Sequence, residues 1–342
     1  MTHSQHLNCG PLSFNFSRLF AEGVGAGNGL TAGDLSEFEK PASAALEALD
    51  RIRGGPVQPH GEKALFLDLP YQVGASDKVQ AFAEKARAHF ENVVSIGIGG
   101  SYLGNKLLHD ALAHPQHNLV SGPSGENHPH PSLSLRERGL RGGCRMFWAG
   151  ENVDPSSLKG LFEVVAPAKT LFVVISKSGG TMEPLAAMMV VLEMLKKQNL
   201  RPRDHIVAVT DPAKGFLKGW ADSEKVPAFA IPDGIGGRFT ALCESGLLTA
   251  ALAGLDTAGL LEGARAFDQA AKTGHGPLEH PALAYALYHH ILHRKKGKNL
   301  GVLMPYANSL KTLGDWYVQL LAESLGKDKD RSGKVVHAGR TP

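Results

Sequence analysis

The fold is decided by the stretch Ser95-Ile96-Gly97-Ile98-Gly99-Gly100-Ser101-Tyr102-Leu103-Gly104. Residues 93–98 are apolar without alternation, which predicts a short strand buried on both faces. Residues 103–112 have the apolar spacing of a helix, so three glycines and a serine lie where strand becomes helix. Glycines let the backbone approach a bound group, and the N–H groups of a helix N-terminus attract anions. The stretch predicts an anion site, with a glycine-rich turn that binds nothing as the alternative.

Composition narrows the class of protein. The chain has 342 residues, of which 43% are hydrophobic and 20% charged, and a net charge of +3, so nothing in its balance favours nucleic acid or a membrane surface. No apolar run has the length of a membrane span. The three cysteines are far apart and none has zinc-ligand spacing, which fits a reducing compartment. We expect a cytoplasmic protein without a metal, another cofactor, a nucleic-acid partner or a membrane.

Strand and helix patterns alternate along the chain. Regular structure of unassigned type is predicted to resume over residues 145–149. Further strands are predicted over residues 169–175, 205–210 and 228–231, which with the first predict one parallel α/β sheet within residues 93–231. Residues 65–69 predict a short strand or extended link, and residues 300–306 predict another apolar strand. Helices are predicted over 35–53 (one or two), 78–90, 182–198, 240–253, 258–273, 282–294 and 308–325.

Residues 121–143 interrupt this pattern. They are rich in turn-forming residues and contain several arginines, but they show no periodicity. A basic run can bind nucleic acid, yet no aromatic residues interleave with these arginines. We therefore predict a solvated, disordered insertion.

A second glycine loop follows the strand predicted over 169–175, with the sequence Ser176-Lys177-Ser178-Gly179-Gly180-Thr181. Three hydroxyls and a lysine at a helix N-terminus can surround phosphate oxygens, with Lys177 supplying charge. A helix capped by Thr181 is the alternative. The loop lacks the spacing of a nucleotide-binding P-loop.

Two further positions suggest chemistry. Arg238 lies between flexible glycines and the next predicted helix, where a guanidinium is well placed to meet an anion or a developing oxyanion. Gln319 and Glu323 are four residues apart and so share one face of a predicted helix. A surface arginine and a solvated glutamate are the alternatives.

Five segments together resemble the phosphoglucose isomerase family, in the order that the family has them. Each segment is modest evidence alone, but the ordered set is specific and covers residues 65–327. The segments are Gly97–Ser101, Asn152–Pro155, Ser176–Thr181, Gly236–Thr240 and Gln319–Lys327.

The resemblance implies an α/β fold of two sugar isomerase (SIS) subdomains, each with a flavodoxin-like parallel sheet. It implies an N-terminal segment over residues 1–64, a first subdomain over 65–274 and an incomplete second subdomain over 275–342. It also implies a homodimer that interconverts glucose 6-phosphate and fructose 6-phosphate through an enediol(ate), without metal or nucleotide.

The roles implied by the resemblance follow the motifs. Glu323 corresponds to the base that moves a proton between C2 and C1, and Arg238 to the arginine that steadies the enediolate. The remaining positions correspond to contacts with the substrate and its phosphate: Gly100, Ser101, Ser176, Lys177, Ser178, Thr181 and Gln319.

The chain departs from the family pattern in three places. Cys243 and Glu244 stand where the family has small residues, and residues 121–143 are an insertion. The sequence also ends before the histidine and the lysine with which the family opens the sugar ring, and His337 is not assigned that role. We expect poor turnover of cyclic substrate, with a non-catalytic SIS sugar-phosphate module or an isomerase of a related sugar phosphate as alternatives.

Overall fold

The structure is a computed structural model that describes residues 5–53, 65–121, 143–272, 276–330 and 332–342. The predicted insertion at 121–143 lies, except for its two end residues, outside the described residues. In the part of the chain that is described, no helix is long and apolar enough to cross a membrane.

The strands are numbered in chain order. They are β1 (His6–Cys9), β2 (Leu12–Asn15), β3 (Asn92–Ile96), β4 (Arg145–Ala149), β5 (Thr170–Ser176), β6 (Ile206–Thr210), β7 (Ala228–Ala230), β8 (Lys327–Lys329) and β9 (Val335–Ala338).

The helices are also numbered in chain order. They are α1 (Ala21–Val24), α2 (Ala32–Glu37), α3 (Glu39–Ile52), α4 (Val73–His89), α5 (Gly100–Leu112), α6 (His117–Val120), α7 (Pro155–Val164), α8 (Met182–Lys197), α9 (Pro202–His205), α10 (Phe216–Glu224), α11 (Glu244–Leu252), α12 (Thr257–Ala271), α13 (Pro281–Lys296) and α14 (Lys311–Leu325). Short 3₁₀ helices occupy Ser17–Leu19, Leu65–Leu67, Leu69–Tyr71, Pro167–Lys169, Gly237–Leu242 and Asn308–Leu310.

The chain divides into two compact units. The sheet unit comprises the described residues of 72–258 and 303–324. The terminal unit comprises the described residues of 1–71, 259–302 and 325–342.

The sheet unit is built on five parallel strands in the order β4-β3-β5-β6-β7. This is the doubly wound order in which the first strand lies between the second and third, as in flavodoxin-like sheets. The predicted α/β class and the predicted sheet within residues 93–231 are confirmed. In such a sheet, ligands bind at the carboxyl ends of the strands where the order reverses, which here is between β3 and β5.

The sheet is buried because its central strands are apolar on both faces. Every residue of β3, β5 and β6 is buried, whereas the edge strands β4 and β7 are partly exposed. On one face Ile96, Phe172 and Val174 pack in a cluster that also contains Met188 of α8 and Leu217 of α10. This continuous apolar content is why the strands were recognisable from sequence.

The terminal unit has a smaller, aromatic core. The Tyr288 ring is fully buried and meets the rings of Phe16 and Phe20 edge to face, with centroids 5.1 and 5.3 Å away. A carboxylate, Asp268, accepts hydrogen bonds from Arg53 at 2.7 Å and from the Tyr71 hydroxyl at 2.7 Å. Two antiparallel pairs, β1-β2 and β8-β9, complete the unit.

Two predicted extended segments are corrected. Residues 65–69 lie in 3₁₀ turns, because their N–H groups find carbonyls three residues back, as when Asp68 N donates to the Leu65 carbonyl at 3.0 Å. Residues 300–306, all of which the structure describes, are not a strand. Within this segment only Leu300 forms an isolated β-bridge, with Thr341, and the Tyr306 side chain is 98% exposed. Apolar content indicates a preference for strand, but a strand also needs a hydrogen-bonding neighbour.

Candidate functional site

Two glycine loops lie at the same edge of the sheet. Strand β3 runs into Gly97–Ser101, and β5 runs into Ser176–Thr181. Because β3 and β5 are parallel neighbours, both loops leave the sheet at its carboxyl end, on either side of the point where the strand order reverses. The sequence therefore predicted two loops that the topology does bring side by side.

The first loop packs against a third loop, Gly236–Thr240. A Cβ placed on Gly100 would lie 2.2 Å from the backbone carbon of Gly237, so only glycine fits at that position. The Thr240 hydroxyl donates to the Gly100 carbonyl at 3.0 Å. Gly99 has a φ of 54°, in the region that favours glycine, and precedes the first turn of α5. The glycines that marked the motif thus permit two backbones to touch.

Arg238 is held by contacts to its guanidinium group and to its backbone carbonyl. Its Nε donates to the Ser324 hydroxyl at 2.9 Å, and its Nη1 donates to Glu323 Oε2 at 3.3 Å. The guanidinium carbon lies 4.9 Å from the centre of the Phe239 ring, and the backbone carbonyl of Arg238 accepts from Trp316 Nε1 at 3.1 Å. The side chain is 25% exposed, so the alternative of a solvated surface arginine is not what the structure shows.

Helix α14 brings the predicted base to this arginine. Gln319 Nε2 donates to Glu323 Oε1 at 2.9 Å, so both carboxylate oxygens of Glu323 accept hydrogen bonds. A Cβ on Gly99 would lie 3.1 Å from Gln319 Nε2, which places the amide against the first loop. The Glu323 side chain is 47% exposed. Gly99, Arg238, Gln319 and Glu323 therefore form one cluster within the sheet unit.

The predicted phosphate loop exposes Ser178 and Gly180, and its three hydroxyls lie close together. The Thr181 Oγ1 lies 3.0 Å from Ser176 Oγ and 3.3 Å from Ser178 Oγ, and Gly180 N donates to Ser178 Oγ at 3.3 Å. Within the described residues, the Thr181 side chain does not cap α8. Three hydroxyls converge without forming the cap that the alternative required.

Lys177 contacts the segment that leads to Arg238. Its Nζ donates to the Ile235 carbonyl at 2.7 Å, three residues before Arg238. The backbone carbonyl of Lys177 accepts from Asp211 N at 3.3 Å. Lys177 therefore joins the predicted phosphate loop to the loop that carries Arg238.

Sequence reasoning missed several neighbours of the cluster. Ser324 and Trp316 both touch Arg238, and both lie in the helix that had been predicted, but a serine and a tryptophan on a helix carry no signal of their own. Tyr102, beside Ser101, has a pKa raised by burial and by its hydrogen bond with Glu151, so it stays protonated near neutral pH. Its position next to the glycine motif was the available signal.

The departure at Cys243 and Glu244 has a structural explanation. Cys243 is buried and extended, and it separates the 3₁₀ helix Gly237–Leu242 from α11 where one helix was predicted. Burial raises the pKa of its thiol to about 11. The Glu244 carboxylate accepts from Ala230 N at 2.5 Å, and so satisfies the backbone of edge strand β7. Both residues serve the fold behind Arg238.

Comparisons with known proteins agree with this geometry. The phosphoglucose isomerase family matches residues 74–341. The glucose-6-phosphate isomerase of Carboxydothermus hydrogenoformans is 40% identical over 280 residues, which are 81% of this chain and 56% of that protein. That of Rubrobacter xylanophilus is 38% identical over 304 residues, 88% of this chain and 63% of that protein.

Solved structures agree as well. A hypothetical protein of Thermus thermophilus superposes with a TM-score of 0.70 at 35% identity, over 90% of this chain and 66% of that one. A glucose-6-phosphate isomerase of Chlamydia trachomatis gives 0.71 at 24% identity, over 91% of this chain and 58% of that one, and so supports the fold.

The sheet and the glycine loops define a parallel α/β protein whose two loops meet at the carboxyl end of the sheet. The family match covers most of the chain, and the chain therefore belongs to the phosphoglucose isomerase family. It spans 56% and 63% of the length of the two curated relatives named above.

Proposed function

We propose that the chain carries the site for aldose–ketose isomerisation of glucose 6-phosphate and fructose 6-phosphate. The observation that carries the proposal is the cluster in which Gln319 and Arg238 both bond the carboxylate of Glu323. A carboxylate that can take a proton and a guanidinium beside it are what an enediolate intermediate requires.

Glu323 acts as the base in this proposal. It removes the proton from the carbon next to the carbonyl and returns it to the neighbouring carbon. Negative charge then develops on the substrate oxygen, and Arg238, 3.3 Å from the base, lies where it stabilises that charge. Gln319 orients the carboxylate through the bond to Oε1.

The substrate's phosphate binds to the open loop. The hydroxyls of Ser176, Ser178 and Thr181 supply donors and Lys177 supplies charge, with Gly100 and Ser101 at the other loop completing the substrate contacts. Because the phosphate is remote from the reacting carbons, its binding fixes the orientation of the sugar. Isomerisation in this proposal uses no metal or other cofactor.

We also propose the wider organisation that the family implies. Residues 65–274 are the first SIS subdomain and residues 275–342 begin a second, after an N-terminal segment of 1–64. The protein acts as a cytoplasmic homodimer on a sugar phosphate and has no nucleic-acid partner. All three cysteines are buried and unpaired, which supports a reducing compartment.

The test separates proton transfer from ring opening. A ketose 6-phosphate that lacks the 5-hydroxyl cannot form a ring, so it reports the chemistry of Glu323 alone. The chain should exchange the C1 proton of this substrate for deuterium in D2O, followed by proton NMR. Glu323→Gln should slow exchange by about a hundredfold to ten-thousandfold, because one acid–base group is lost.

The matched control is Glu193→Gln, an exposed glutamate on α8 whose side chain is 57% exposed. It should exchange at the wild-type rate. A chain that binds the substrate by calorimetry but exchanges no proton would contradict isomerisation and favour a non-catalytic sugar-phosphate module.

A further inference from the structure

We infer that Ser324 is a positioning residue that orients the guanidinium of Arg238 toward the substrate oxygen on which negative charge develops. The inference deepens the proposed function and rests on it for its catalytic part. It is carried by the 2.9 Å hydrogen bond from Arg238 Nε to Ser324 Oγ. Nε is the guanidinium nitrogen that is bonded to the rest of the side chain.

The position of the bond within the fork is the first step of the argument. A guanidinium is planar and has one N–H on Nε and two on each terminal nitrogen. An acceptor at Nε fixes the rotation of the whole plane and leaves the terminal nitrogens to other partners. In this structure Nη1 is the terminal nitrogen that reaches Glu323, at 3.3 Å.

Two further contacts restrict Arg238 in other ways. The Phe239 ring lies under the guanidinium at 4.9 Å and sets the height of its plane. Trp316 Nε1 holds the backbone carbonyl of Arg238 at 3.1 Å, so the side chain starts from a fixed point. Neither contact determines how the fork is turned within its plane, which is what the Ser324 hydroxyl supplies.

Adjacency in sequence couples the two groups. Ser324 directly follows Glu323 on α14, so one turn of helix carries both the base and the acceptor that orients the arginine. Any displacement of this turn moves the base and the guanidinium together. The distance between proton acceptor and charge stabiliser is thereby conserved while substrate binds, and small errors in such distances are costly in rate.

We expect the loss of the Ser324 hydroxyl to lower turnover rather than to weaken substrate binding. Ser324→Ala should lower kcat about tenfold to hundredfold, the worth of a hydrogen bond to a charged group, with KM within about twofold. Ser324→Thr keeps a hydroxyl and should restore most of the rate. In an Arg238→Lys background, which has no Nε–H, Ser324→Ala should add nothing further.

The control is Ser223→Ala, in the same unit. Its exposed hydroxyl donates to the Trp220 carbonyl at 2.8 Å and lies in no part of the proposed site. It should leave kcat and KM at their wild-type values.

A second measurement works whether or not the chain turns over. The Nε–H signal of Arg238, assigned in a nitrogen-15 NMR spectrum by its loss in Arg238→Lys, should exchange slowly with solvent. Ser324→Ala should speed this exchange about tenfold or more, and Ser324→Thr should not.

The outcomes distinguish the two proposals. If wild-type chain transfers no proton but the Arg238 signal loses protection only in Ser324→Ala, the proposed function fails and the positioning role of Ser324 stands. If Ser324→Ala leaves the exchange of Nε–H unchanged, or if it lowers kcat equally in the Arg238→Lys background, the inference is overturned.

Discussion

The two halves of the candidate site are built in opposite ways. In the closed half, Gly97–Ser101 and Gly236–Thr240 touch backbone to backbone, and α14 adds Glu323 to Arg238. In the open half, Ser176–Thr181 presents hydroxyls that bond mainly to one another, and a Cβ on Gly180 would meet nothing within 4 Å. Proton transfer needs fixed distances between groups, whereas a phosphate needs donors that can adjust to it. The difference indicates that Gly100 in the closed half resists substitution and that Gly180 in the open half tolerates it.

The largest expected effect compares one glycine from each half. Gly100→Ala should lower the free energy of unfolding by about 2–4 kcal/mol, because the new methyl group meets the Gly237 backbone at 2.2 Å and one loop must move. Gly180→Ala should change it by less than about 0.5 kcal/mol. Denaturant unfolding measures both variants, and equal losses would remove the distinction between the halves.

Acid should also weaken the packing of α5, whose first residue, Gly100, belongs to the closed half. Burial lowers the pKa of His117 to about 4, and its Nε2 donates to the Cys144 carbonyl at 2.9 Å. His117 packs against His109 of α5, the helix that begins at Gly100.

The folded state favours the neutral ring, so the contribution of His117 to stability is present above its unfolded pKa of about 6.5. It is lost as pH falls from about 6.5 to about 4, by roughly 3 kcal/mol. His117→Gln, which has no ionisable group, should flatten the pH profile of unfolding in that window. An unchanged profile would show that the ring does not titrate there.

Binding experiments test whether the open half contacts the phosphate of the substrate. Lys177→Met and Thr181→Val should each weaken the affinity for fructose 6-phosphate about tenfold, since the phosphate loses a charge or a hydroxyl. Neither variant should alter the weak binding of the unphosphorylated sugar. Calorimetry that finds equal affinity for both sugars in the wild-type chain would refute the phosphate loop.

The smallest effect is expected at Ser178. Its hydroxyl accepts from Gly180 N at 3.3 Å in an exposed loop, so Ser178→Ala should change the free energy of unfolding by about 0.5 kcal/mol or less. Thermal unfolding of this variant beside Gly180→Ala tests the tolerance of the loop. A loss as large as that of Gly100→Ala would mean that the open half is as rigid as the closed one.

The sequence by itself determined the α/β class, four of the five strands and the two glycine loops, whereas Arg145–Ala149 was predicted only as regular structure. It could do so because buried parallel strands are continuously apolar, and because glycine marks places where backbone must bend or touch. It also predicted Arg238 and Glu323 as site residues, with a surface arginine and a solvated glutamate as the alternatives. It was wrong about residues 300–306, because periodicity shows what a segment prefers and not whether a neighbour is there to pair with it.

Only the tertiary structure shows which residues that are distant in sequence are in contact. Arg238 and Ser324 are 86 positions apart, and Lys177 and Ile235 are 58 apart, yet each pair shares a hydrogen bond. No local pattern encodes such pairs, because they depend on the order in which strands enter the sheet and on how closely two loops approach. The glycine at position 100 was visible in the sequence. Only the structure shows that it is there to let the Gly237 backbone come within contact distance, and so to bring Arg238 beside Glu323.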